Sequence, residues 1–163
     1  MKQREITIRY SEYDFSELTE LQSNLINQSL KAQESAYAPY SNFRVGAAIL
    51  LESGEIVLGS NQENAAYPSG LCAERVAIYN CGSNHPSKNI VSIAISASTT
   101  KFDLNDLLAP CGACRQSMLE YEYKQMANIK VLLKGADNQV IEFDSIKDLL
   151  PIPFNCDGLQ NVS

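Results

Sequence analysis

FRVGAAILL, from Phe43 to Leu51, is followed by the turn Glu52-Ser53-Gly54 and then by EIVLGSN, residues 55–61. An apolar run long enough for a buried strand, a short turn with glycine and a second run read as a β-hairpin. Downstream, Pro68-Ser69-Gly70 breaks the chain, and CAERVAIYN (72–80) reads as a short helix ending near Gly82. NIVSIAISAS (89–98) is a third strand. LAPCGACRQSMLEYEYKQM (108–126) passes from a tight loop into a helix, NIKVLLKG (128–135) is a fourth strand and QVIEFD (139–144) a short fifth. Upstream, Phe15, Leu18, Leu21, Leu25, Ile26 and Leu30 recur at helical spacing. They predict one helix from Asp14 to about Ala36, capped by Asp14 with Glu17 three residues on and stopped by Pro39. At the other end, Asp144 or Ser145 caps a helical turn, SIKDLL, which Pro151 ends. Strands separated by helices make an α/β layered domain with a mixed sheet. Its first strand pair is antiparallel and its helix-linked strands are parallel.

The 163 residues suit a single domain, residues 1–163, with about the first 20 as an amino-terminal extension of unassigned role. Hydrophobic residues are 45% and charged residues 20%, too balanced for disorder. Thirteen basic residues against nineteen acidic give a net charge of -6. That argues against a protein that holds long nucleic acid by its backbone, which relies on Lys and Arg to neutralise phosphates. No apolar run approaches the ~20 residues of a membrane span. The start, MKQREITIRYSEYDF, lacks an apolar signal core, so the expected location is cytoplasmic, away from any membrane.

Five cysteines (Cys72, Cys81, Cys111, Cys114, Cys156) without a secretion signal argue for metal-binding or catalytic thiols rather than a disulfide framework. The single histidine, His85, sits in the turn-rich CGSNHPSKN, so a metal site must be built mainly from sulfur and carboxylate. Cys111 and Cys114 are three residues apart at a helix start, where Cβ atoms lie ~5–6 Å apart and both sulfurs reach one ion. Taken alone, C-x-x-C fits a structural zinc half-site or a redox pair equally well. Cys72, also at a helix start, is the expected third ligand, and two helix N-termini, each worth roughly +0.5 of a charge, then offset the anionic cluster. Arg75 adds a cation beside the sulfurs. Three thiols leave a fourth position for water, the mark of a catalytic zinc, and Glu74 is the carboxylate that handles that water's proton. Glu74 is only two residues from Cys72, so Cys72 must occupy the open first turn for the two to converge. Cys81 and Cys156 read as structural thiols, Glu63 alone as a surface carboxylate and Phe43 alone as core.

A-P-Y-S-N-F-R-V-G-A-A (38–48), N-Q-E-N-A-A-Y-P-S-G-L-C-A-E-R (61–75) and P-C-G-A-C-R-Q (110–116) are collinear, and on them the chain resembles the cytidine deaminase family in its small, three-cysteine form. The resemblance spans about residues 31–154 and implies a three-layer α/β/α sandwich with a five-stranded mixed sheet. It implies one zinc ion (Zn2+) per subunit on Cys72, Cys111 and Cys114, Glu74 as proton shuttle, and a homotetramer. It further implies substrate contacts at Phe43, Asn61, Glu63, Ala65, Tyr67 and Phe154, with Asn61 and Glu63 on the ribose hydroxyls and Phe154 reaching into a neighbouring subunit's site. The implied reaction is hydrolytic deamination of cytidine and deoxycytidine in pyrimidine salvage. Three rivals stand beside it: a deaminase for another aminopyrimidine, a non-catalytic zinc module with Cys156 as fourth ligand, and a thiol–disulfide oxidoreductase using Cys111 and Cys114.

Overall fold

A computed structural model describes residues 1–101, 104, 107–135 and 138–155. Strand β1 (Ser11–Asp14) precedes helix α1 (Glu20–Ala32). The hairpin β2 (Phe43–Leu51) and β3 (Ile56–Ser60) follows, then helix α2 (Ala73–Asn84) and strand β4 (Ile90–Thr99). Helix α3 (Gly112–Gln125), β5 (Lys130–Lys134) and β6 (Gln139–Phe143) complete the order. The six strands form one mixed sheet in the order β1-β6-β5-β4-β2-β3. Pairs β2·β3, β2·β4, β5·β6 and β1·β6 are antiparallel. The pair β4·β5, linked through α3, is parallel. No helix among the described residues is long and apolar enough to cross a membrane.

Alternation along the central strands explains the layers. Ala47, Ile49, Leu51, Ile93, Ile95, Val131 and Leu133 face a core shared with Ala73, Ala77, Ile78, Met118 and Leu119 of α2 and α3. The intervening Ala48, Leu50, Ala94 and Leu132 face the other side, where Leu25 and Ile26 of α1 cover them. Both faces are thus buried, which is why these strands read as continuous apolar runs. Gly59 of β3 sets how close α2 comes. A Cβ there would lie 2.5 Å from both the Ala73 carbonyl and the Ala77 nitrogen, so the missing side chain seats the start of α2 directly on the sheet.

The sheet has one strand more than the expected five. The addition is β1, from the amino-terminal extension, which pairs with β6 from Ser11 opposite Glu142 to Asp14 opposite Gln139. The first helix is also shorter than expected. Asp14 and Glu17 do form a capping box, but over a single 3-10 turn, Phe15–Glu17. Leu18 then returns to an extended conformation, and a second capping box of Thr19 and Gln22 starts α1 at Glu20. At the far end Ser145, rather than Asp144, caps the turn Ile146–Leu149 by accepting from the Lys147 amide. Glu122, buried in α3, accepts from the Ile129 amide (2.8 Å), the Ile146 amide (2.9 Å) and the Ser145 hydroxyl (2.6 Å). It ties α3 to the start of β5 and to the carboxy-terminal turn, a structural role the sequence did not announce.

Candidate metal centre and ligand cleft

The loop that leaves β3 is held on both sides by backbone bonds. Its Glu63 amide donates to the Tyr37 carbonyl at 2.8 Å, while Gln62 and Leu71 exchange amide bonds at 2.8 and 2.9 Å. The Gln62–Leu71 bridge ends one residue before Cys72, so it aims the chain into α2. Cys72 precedes that helix with extended backbone (φ −71°, ψ 155°), and Cys111 precedes α3 in the same way (φ −65°, ψ 163°). Cys114 lies buried in the first turn of α3. The three sulfurs come within 4.8 Å of one another, and Cys111 and Cys114 are 3.4 Å apart.

Ligands ~2.3 Å from a tetrahedral zinc stand about 3.8 Å from each other, so these sulfurs suit a single ion. Soft thiolate donors select zinc among the common divalent metals. Among the described residues this is the one cluster of at least three ligating side chains within such reach. Cys156, the fourth ligand of the non-catalytic rival, lies outside the described residues. Cys81 is buried in the core at the other end of α2.

The N-termini of α2 and α3 both face the thiols, which puts positive partial charge against sulfur. Arg75 Nη2 lies 3.8 Å from Cys72 Sγ. The Arg75 Nε–H is buried with no hydrogen-bond partner among the described residues. Hydrogen bonding from Cys114, then from Arg75, pulls the Cys72 thiol down to about 5. Cys114 is pushed up in turn by its bond to the Cys72 sulfur and by burial. Glu74, in the first turn of α2, is only 5% exposed. Burial holds its carboxyl above the ordinary glutamate value, and the Cys72 charge adds to the effect.

Cys72, Cys111, Glu74 and Arg75 line a cleft of about 570 Å³ together with Phe43, Asn61, Glu63 and Tyr67. That volume is within the range of small-molecule sites. Asn61 is half-buried and clamped to β2: its Oδ1 accepts from the Val45 amide at 2.8 Å and its Nδ2 donates to the Phe43 carbonyl at 2.9 Å. Glu63 accepts from the Ser41 hydroxyl and from the amides of Tyr40 (2.9 Å) and Ser41 (3.3 Å). The Ser41 hydroxyl bond, first among these, holds the Glu63 carboxyl below its usual value and therefore ionised.

Two of the residues expected to contact substrate do not line this chain's own cleft, and for Phe154 the expected site is a neighbouring subunit's. Ala65 is exposed and does not line the cleft, although Asn64 and Tyr67 do. Asn64 Oδ1 accepts from the Ala66 amide at 2.8 Å, and this turn carries Ala65 to the surface. Phe154 is 73% exposed and outside its own chain's cleft, and its carbonyl accepts from Gln116 Nε2 at 2.8 Å. Sequence reasoning missed Ser41, just before β2, and Ile95, Ser96, Ala97, Leu108 and Lys134, which close the cleft from β4, β5 and the loop before α3. Only Ser41 had a local signal, lying two residues before Phe43 in the quoted 38–48 motif.

Known proteins resemble this chain over most of its length. The sequence profile described as the cytidine and deoxycytidylate deaminase zinc-binding region matches residues 19–129. A cytidine deaminase of Halalkalibacterium halodurans is 37% identical over 137 residues, 84% of this chain and 96% of the relative. One from Sporosarcina psychrophila is 40% identical over 136 residues, 83% of this chain and 93% of the relative. The crystal structure of cytidine deaminase from Burkholderia pseudomallei superposes with a TM-score of 0.68 at 37% identity, covering 84% of this chain and 100% of that one. With its thiol triad and buried glutamate at the heads of two helices, this chain belongs to the cytidine and deoxycytidylate deaminase family.

Proposed function

We propose that this protein is a zinc-dependent enzyme that hydrolyses cytidine and deoxycytidine to the uracil nucleosides and ammonia, in pyrimidine salvage. The observation that carries the reading is the buried Glu74 carboxyl beside the three-thiol cluster on the floor of a nucleoside-sized cleft. Cys72, Cys111 and Cys114 would hold one zinc ion per chain, which when bound acts as a Lewis acid and lowers the pKa of a coordinated water to about 7.

The protein's own part is proton movement and positioning. Glu74, kept above the ordinary carboxylate range by burial, is suited to accept a proton and then release it. Its first proton goes to N3 of the pyrimidine, which makes C4 electrophilic. Its second goes to the departing amine. Glu63, ionised and already holding three hydrogen bonds, keeps one of its roughly four lone-pair positions for a ribose hydroxyl. Asn61 offers the remaining hydrogen of its amide and lone pair of its carbonyl to the same sugar. Phe43 and Tyr67 supply flat apolar wall. An exposed Phe154 on a tail anchored to α3 suits a contact with a neighbouring copy's cleft in a homotetramer.

The test is Glu74→Gln, which keeps the shape and removes the proton carrier. Turnover of cytidine should fall on the order of 10²–10⁴-fold, the usual share of a general acid–base, while zinc content and thermal unfolding stay at the level of the parent. Near-parental turnover would remove Glu74 from the reaction.

A further inference from the structure

Residues 1–10 have no regular secondary structure and are exposed along their whole length, yet they carry a strand's pattern. Ile6, Ile8 and Tyr10 alternate with Glu5, Thr7 and Arg9, and the three apolar side chains are 56%, 43% and 57% exposed. The segment runs straight into β1, the edge strand of the sheet. Tyr10 already sits where the next β1·β6 pair would be, its ring centroid 5.6 Å from that of Phe143. The Phe15 amide donates to the Asn138 carbonyl in the same register, so odd-numbered residues turn their backbone toward β6. Even-numbered residues turn theirs outward, to the side where the sheet has no further strand among the described residues. An apolar edge with unpaired backbone groups is a template for another strand.

The charges indicate which strand. Laid antiparallel against itself about Thr7, the segment places Lys2 opposite Glu12, Arg4 opposite Tyr10, Glu5 opposite Arg9 and Ile6 opposite Ile8. All five charged residues from Lys2 to Glu12 then meet an opposite charge or an aromatic face, and no like charges meet. The even-numbered residues, whose backbones face outward, form the hydrogen-bonded pairs. Centring on Ile8 instead pairs Arg4 with Glu12 and Lys2 with Asp14 but leaves Glu5 opposite Ser11 and Arg9 opposite Thr7, two charges without a partner that the Thr7 register satisfies; centring on Ile6 gives no ion pair. We propose that residues 2–12 pair with the same residues of a second copy of this chain, joining two sheets edge to edge about a twofold axis at Thr7. Such an interface is isologous, so each Glu5–Arg9 contact occurs twice. The inference is independent of the chemistry proposed for the cleft.

Thr7→Cys puts two thiols across the axis at a non-hydrogen-bonded pair, where Cα atoms lie about 4.5 Å apart, within disulfide range. Mild oxidation of this full-length variant should give a disulfide dimer between the introduced cysteines, identified by mass spectrometry and absent from the parent. Adding Arg9→Glu sets carboxylates against each other twice and should cut the yield severalfold. Adding Glu5→Arg to that variant should restore it. Cytidine turnover per chain, unaffected in all three, serves as the control for folding. No dimer, a yield indifferent to Arg9→Glu, or a yield that the Glu5→Arg reversal leaves low overturns the proposal.

Discussion

The start of α1 and the starts of α2 and α3 are built in opposite ways. At α1 the Thr19 hydroxyl accepts from the Gln22 amide at 3.3 Å and the Gln22 Oε1 accepts from the Thr19 amide at 2.9 Å. The first turn is sealed, and the helix serves only to cover one face of the sheet. At α2 and α3 the capping position holds cysteine, and neither Cys72 nor Cys111 makes a side-chain cap. A hydroxyl or carboxylate in that position stabilises a helix by ~1 kcal/mol. The two helices facing the cleft forgo it, and their open first turns direct thiols, a buried glutamate and helix-dipole charge at one point. Local stability and function separate by helix, and each helix can be pushed toward the other's design.

The largest effect should come from Cys72→Ser. It offers α2 the hydroxyl cap it lacks while removing a soft ligand. Zinc content and cytidine turnover should both collapse, yet the metal-free variant should melt no lower than metal-free parent. A variant that retains stoichiometric zinc and turnover would show that the α2 start is not a ligand position. Next comes Gly59→Ala, which has no functional group in the cleft. The added Cβ has to displace the backbone of Ala73 and Ala77, so stability should drop by ~1–3 kcal/mol. Because that backbone carries Cys72 and Glu74, turnover should fall as well, by about 10²-fold for a shift near 1 Å. Loss of stability with unchanged turnover would mean the α2 start is less tightly coupled to the sheet than the close packing implies. Smallest is Thr19→Ala, which uncaps α1. It should lower stability by ~1 kcal/mol, or the melting temperature by roughly 2–4 °C in a chain of this size, and leave turnover untouched.

What could be read in the sequence follows from how local each signal was. The thiol cluster was legible because Cys72, Cys111 and Cys114 sit at helix starts whose geometry follows from a few neighbouring residues. The buried hairpin was equally plain, since FRVGAAILL becomes β2 residue for residue. The first helix was misplaced because Asp14–Glu17 and Thr19–Gln22 are both capping boxes, and nothing local says that Leu18 turns extended between them. β1 escaped notice because SEYD has one half-buried position, Tyr13, and becomes a strand only by meeting β6 some 130 residues later. The far wall of the cleft was invisible for the same reason. Ser96, Leu108 and Lys134 come from separate elements and are neighbours only once the sheet is assembled.

The central claim is that the three thiols hold a zinc ion on which cytidine turnover depends. Purified protein should carry close to one zinc per chain, lose cytidine turnover in step with zinc removal by a chelator, and regain it when zinc is returned. Full turnover by metal-free protein, or stoichiometric zinc with no turnover of cytidine or deoxycytidine, would contradict the account.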